Sequence, residues 1–77
     1  MREVLEYLAS HLVDDPDAVE VTEVAGERSI VLQLKVAPED MGKVIGKRGR
    51  TVRAIRSLVR AAASRQGLST MVEIVET

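Results

Sequence analysis

Val44-Ile45-Gly46-Lys47-Arg48-Gly49-Arg50-Thr51-Val52 sets two glycines three positions apart, fills both intervening positions with cations and runs directly into a helical pattern. Each part has a physical use. Glycine lacks a Cβ and reaches backbone conformations closed to other residues, so the segment can turn tightly and let a sugar-phosphate chain lie against it. The N-terminus of the following helix carries unpaired N–H groups and the positive end of its dipole, and both favour phosphate oxygens. Lys47 and Arg48 add full charges where phosphates would pass. A bare GxxG is weak evidence, because any connection between two helices can require glycine. Its surroundings on both sides give it weight.

Downstream, residues 50–66 read as a long helix with an apolar stripe of Val52, Ile55, Leu58, Val59 and Ala62, and with Arg53, Arg56 and Arg60 on the opposite side. Gly67 supplies a stop with left-handed geometry available to it, and Val72 and Ile74, flanked by Glu73 and Val75, read as a last strand. Upstream, Ala37-Pro38-Glu39-Asp40 carries helix-start signals, proline at the first position and acids in the first turn, for a short helix to about Ile45. Before it, Ile30, Leu32, Leu34 and Val36 alternate with Val31, Gln33 and Lys35, which gives a strand with one apolar face. Val19, Val21 and Val24 mark an earlier strand, joined to it through Ala25-Gly26-Glu27. Residues 2–13 read as an amphipathic helix with Val4, Leu5, Leu8 and Leu12 on its inner side, ended by Asp14-Asp15-Pro16-Asp17. The expected class is therefore α+β, in the order helix, strand, strand, helix, helix, strand.

A chain of 77 residues supports one modest core, because domains of this size bury only about 60% of the surface their unfolded chains expose. The expectation is a single domain over residues 1–77. Cysteine is absent, so no disulfide or thiolate site is available and a reducing compartment fits. The N-terminus lacks the order of a signal peptide and no apolar run is long enough to span a bilayer, so a cytoplasmic location without membrane association is expected. The net charge of -1 hides a division along the chain. Residues 1–40 carry ten acids and three cations, residues 41–67 carry eight cations and no acid, and the last ten residues carry Glu73 and Glu76. Such polarity presents one basic surface and makes polyanion binding local and oriented.

With these residues in place, Ile45-Gly46-Lys47-Arg48-Gly49 resembles the IGxxG signature of the KH domain, and the order of elements resembles its type II form, with a three-stranded mixed sheet packed on helices. The flanking Val36-Ala37-Pro38-Glu39-Asp40-Met41-Gly42-Lys43-Val44 and Thr51-Val52-Arg53-Ala54-Ile55-Arg56-Ser57-Leu58-Val59 are similar to the stand-alone bacterial KH proteins of the KhpA (YlqC) family. That resemblance implies a cytoplasmic protein that binds single-stranded RNA, as a post-transcriptional regulator or RNA chaperone with roles linked to cell shape. It implies a homodimer, or pairing with a larger KH-containing protein of the Jag (KhpB, EloR) type. GxxG loops of such domains clamp four backbone nucleotides. Gly46, Lys47, Arg48 and Gly49 would form the clamp, and aliphatic residues near Val44, Ile45, Val52, Ile55 and the last strand the floor under the bases. Lys43 joins the expected contacts beside the loop, and helix geometry adds Arg50, Arg53 and Arg56.

Tyr7 is the only aromatic residue, which independently rules against modules that stack bases on aromatic rings. Other chemistries fare worse. Gly46-Lys47 is not a P-loop, because Gly42 stands one residue too close and Arg48 takes the Ser/Thr position. His11 is a lone histidine in the first helix without the positioned partners that catalysis needs. Asp14, Asp15 and Asp17 lack the glycine and distal glutamate of a calcium loop, so no metal, cofactor or enzymatic activity is expected. The alternative is an interaction module in which the same fold docks a larger KH partner and RNA binding is secondary.

Overall fold

The computed structural model describes residues 1–75; Glu76 and Thr77, and with them the last acid of the C-terminal stretch, lie outside the described residues. The elements are α1 (Arg2–Leu12), β1 (Glu20–Ala25), β2 (Ser29–Lys35), α2 (Met41–Ile45), α3 (Arg50–Ser64) and β3 (Ser69–Val75), with single 3-10 turns at Pro16–Ala18, Pro38–Asp40 and Lys47–Gly49. The order is the expected one. The sheet runs β1-β2-β3, with β1 antiparallel and β3 parallel to β2, so it is mixed. Parallel pairing of β2 and β3 requires a crossover, and the chain spends it on α2, the glycine loop and α3.

Alternation in β2 sets the core. Ile30, Leu32 and Leu34, with Val36 beyond the strand end, are buried and pack with Leu5 and Ala9 of α1, Val44 of α2, Ile55 and Val59 of α3 and Val72 of β3. A fully buried leucine or valine contributes about 1.5–3 kcal/mol relative to exposure, so these positions carry most of the fold's stability. The other sheet face is left uncovered, with Val24, Val31 and Met71 in one cross-strand row.

Three details depart from the sequence reading. In α1 the buried pair is Leu5 and Ala9, while Val4 and Leu12 lie at the exposed margin, because the helix rests on the core by a narrower stripe than its apolar pattern offers. In α3 the inward stripe is Val52, Ile55, Val59 and Ala63, and Leu58 is 56% exposed. A spacing of three or four residues admits either Leu58 or Val59 beside Ile55, and the helix is rotated so that Val59 faces the sheet. Third, α3 ends at Ser64, two residues early. Leu68 N–H bonds back to Ala63 O at 3.2 Å and Gly67 N–H to Ser64 O at 3.0 Å, with Gly67 at φ 72°, which is a Schellman ending built on the expected glycine.

Candidate nucleic-acid interface

The loop between α2 and α3 is held in an unusual backbone path. Gly46 has φ 76°, Arg48 φ 58° and Gly49 φ 74°, so three of four residues lie in left-handed or otherwise glycine-favoured space. The two glycines are needed for different reasons. A Cβ on Gly46 would stand 2.6 Å from Thr51 Cβ and 2.9 Å from the Thr51 backbone nitrogen, whereas one on Gly49 would meet nothing closer than Val52 Cγ1 at 3.9 Å. Gly46 therefore permits the loop to close onto the start of α3, and Gly49 only permits the dihedral.

Arg48 tolerates left-handed geometry because Arg53 braces the turn. The Arg53 guanidinium donates from Nη2 to the Arg48 carbonyl at 3.0 Å and from Nε to the Gly49 carbonyl at 3.3 Å. Its charge stays exposed beside the loop while its geometry is fixed. Lys47, Arg48 and Arg50 are exposed and make no ion pair among the described residues, and no side chain caps the N-terminus of α3. The N–H groups of Gly49 and Arg50 bond back to the Gly46 and Lys47 carbonyls, so positive charge and the dipole end of a helix without a side-chain cap coincide at one spot.

The remaining expected contacts divide. Ile45 is 36% exposed at the end of α2 and stands at the surface. Val44, Val52 and Ile55 are buried in the core at 0%, 7% and 3% exposure, so they support a groove from beneath and do not line it. Arg56 is half-buried and spans from α3 to β3, its Nε donating to the Val72 carbonyl at 3.2 Å. Lys43 turns away from the loop: its ammonium pairs with Asp14, and with Asp40 Oδ1 at 3.4 Å.

Asp40 itself is 1% exposed, and the Asp15 N–H donates to its Oδ2 at 3.1 Å. Burial would raise this carboxyl, but the N–H groups of Asp15 and Asp14 and the Lys43 ammonium together hold it below the ordinary aspartate value. The hydrogen bond to Asp14 holds Lys43 above the ordinary lysine value, against its own partial desolvation, with Asp40 adding to the effect. Asp40 and Lys43 thus tie α2 to the segment after α1. The spacing Asp40-x-x-Lys43 was a usable signal for half of this tie; nothing in the sequence placed Asp14 beside it.

The fold and the loop define a KH domain in type II order. A family model for the KhpA/KhpB KH domain matches residues 2–74. The RNA-binding protein KhpA of Clostridium acetobutylicum is 57% identical over 97% of this chain and all of its own length. KhpA proteins of Chlamydia pneumoniae and Aquifex aeolicus are 46% and 42% identical, each over 99% of this chain and 97% and 96% of their own. The chain belongs to the KhpA/KhpB KH-domain family. Among solved structures, Aquifex aeolicus Era bound to GDP and AlF4− superposes with a TM-score of 0.70 at 17% identity. A complex of Era with MgGDPNP and nucleotides 1506–1542 of 16S ribosomal RNA superposes at 0.65 and 19%. Each covers 97% of this chain, which spans 29% and 30% of those Era chains, so the likeness is one of fold. No helix of the described residues is long and apolar enough to cross a membrane.

Proposed function

We propose that the protein binds short single-stranded RNA, with the backbone clamped at Gly46, Lys47, Arg48 and Gly49 and the bases lying between α3 and the open edge of β3. The observation that carries this reading is the junction at Gly49–Arg50, where a left-handed glycine turn, unpaired cations and an uncapped helix N-terminus meet. The names of its relatives support the same class of ligand. Lys47, Arg48 and Arg50 supply charge to the phosphates. Arg53 holds the loop in shape while adding its own, and Ile45 gives apolar contact at the groove mouth. Lys43, neutralised by two acids, positions α2 and contributes little to binding. RNA binding of this kind fits a post-transcriptional or chaperone role in the cytoplasm, and needs neither cofactor nor catalysis.

The test is the double variant Lys47→Asp with Arg48→Asp. It reverses the local charge and leaves both glycines and the core in place. Surface changes of this type move stability by about 0.5 kcal/mol or less, so circular dichroism and melting stay native-like. Affinity for single-stranded RNA falls at least about tenfold, which corresponds to about 1.4 kcal/mol. A folded double variant that retains the parent's affinity would remove the loop from the site.

One observation favours a second role beside the first, self-association or pairing with a larger KH-containing protein. Leu58 is exposed on α3 with Ala54 and Ala61 near it, at helical spacing and on the flank away from Arg53, Arg56 and Arg60. Sedimentation velocity across a concentration series checks it. The parent is expected to dimerise and Leu58→Glu to remain monomeric, with native circular dichroism in both.

A further inference from the structure

The chain has three lysines, Lys35, Lys43 and Lys47, and the fold gives them unlike surroundings. The Lys43 ammonium is held between Asp14 and Asp40, and the hydrogen bond to Asp14 keeps it above the ordinary lysine value. Lys35 Nζ lies 4.0 Å from Glu20 Oε2, an exposed pair that solvent screens. Lys47, four residues beyond Lys43 in the chain, is exposed and makes no ion pair among the described residues.

The charge around Lys47 is of one sign. Arg48 and Arg50 follow it, and Arg53 folds back on the loop through its bonds to the Arg48 and Gly49 carbonyls. The acid nearest in sequence, Asp40, is 1% exposed and its charge is met by Lys43. Beyond Lys47 the next acid along the chain is Glu73. An amine attacks only as the free base, so an ion pair that holds the ammonium withholds the nucleophile. Cations beside an amine also draw an anionic reagent to it.

We propose that Lys47 is the lysine of this protein that small acyl phosphates modify, and that its acylation weakens the loop's hold on RNA; the second half rests on the RNA-binding reading above. Lys47 Nζ, having given one proton to water, attacks the acyl carbon of the donor. The N–C bond forms and the bond from that carbon to the phosphate oxygen breaks, its electron pair leaving with the phosphate. Of the two protons given up by the ammonium, one ends on the phosphate and one in solvent, and nothing is oxidised or reduced. The product is a neutral amide where the loop had a cation. The acids that face Lys43 protect it from the same reaction, so the tie that positions α2 survives while the charge of the loop is lowered.

Acetyl phosphate is the probe, with peptide mapping by mass spectrometry to follow each lysine. The expected order is Lys47, Lys35, Lys43, with Lys43 at least about tenfold slower than Lys47. Asp14→Asn removes the first partner of Lys43 and should speed its labelling at least about threefold. Equal rates at Lys43 and Lys47, Lys35 ahead of Lys47, or no change at Lys43 in Asp14→Asn overturns the proposal and leaves the RNA site standing. Saturating single-stranded RNA should shield Lys47 and not Lys35. The acetylated parent should bind that RNA about fivefold more weakly at about 0.1 M salt, with the slope of log K against log salt flatter by about 0.7, as loss of one cation requires. Lys35→Arg, treated alike, should lose as much, whereas treated and untreated Lys47→Arg should bind alike. Selective labelling of Lys47 without loss of affinity overturns the proposal. It falls alone if the Lys47→Asp with Arg48→Asp variant still loses RNA, and together with the RNA-binding reading if that variant binds as the parent does.

Discussion

Gly46 and Gly49 look equivalent in the motif and are not equivalent in the molecule. Replacing Gly49 by alanine imposes only the cost of left-handed backbone on an L residue, about 1–2 kcal/mol, and asparagine lowers that cost because its side chain tolerates the region. Replacing Gly46 by alanine imposes a larger dihedral cost, because φ 76° with ψ 173° is a region essentially confined to glycine, and also drives a methyl group into Thr51. Urea unfolding should therefore rank stability as parent, Gly49→Asn, Gly49→Ala and Gly46→Ala, in falling order. Equal losses at the two alanines would mean that α3 shifts to make room for the Gly46 methyl. Arg48 already bears the left-handed cost, and Arg53 helps to offset it with two hydrogen bonds to carbonyls of the turn.

At the scale of elements, α2 is only five residues long and cannot hold itself by helical hydrogen bonding. Val44 anchors it from below, and the Asp14–Lys43–Asp40 tie anchors its start. Since α2 leads into the glycine loop, this tie contributes to where the loop is presented. Asp40→Asn keeps an oxygen for the Asp15 N–H and loses the charge facing Lys43, so a lower melting temperature at pH 7 is expected. Because folding depresses the Asp40 carboxyl, its contribution is present above the unfolded aspartate value near about 3.9 and is lost as the pH falls through the lower folded value. Thermal melts from pH 7 to pH 2 should show the gap between parent and Asp40→Asn closing at the acid end. A gap that stays constant with pH would assign the loss to shape and not to charge.

The charge division along the chain follows its elements: seven of the eight cations of residues 41–67 are carried by α2, the loop and α3, and Arg65 follows directly after α3. Lys43 is neutralised within the fold, which leaves Lys47, Arg48, Arg50 and Arg53 nearest the loop. Three to four such cations on a single strand give a slope of log K against log salt of about -2 to -3. Titrations of a short single-stranded RNA at several salt concentrations should return that slope, and a duplex competitor should bind less well. A flat response would mean that phosphates are not the main contact, and removing Lys43 by substitution with methionine should leave the slope unchanged.

Alternation in β2, the glycine spacing of the loop and the helical stripe of α3 are local patterns that one segment imposes on itself, and for that reason element order, sheet strands and the glycine turn between α2 and α3 were legible in the sequence. The mixed sheet and the KH class came with the resemblance those patterns carried. The rotation of α3 that buries Val59 and exposes Leu58, the burial of Asp40 against Asp14, Asp15 and Lys43, and the pairing of Arg56 with Val72 were decided by tertiary structure. Each depends on which of two near-equivalent faces meets a neighbour distant in sequence, and periodicity of 3.6 or 2 residues names the candidate faces without choosing between them.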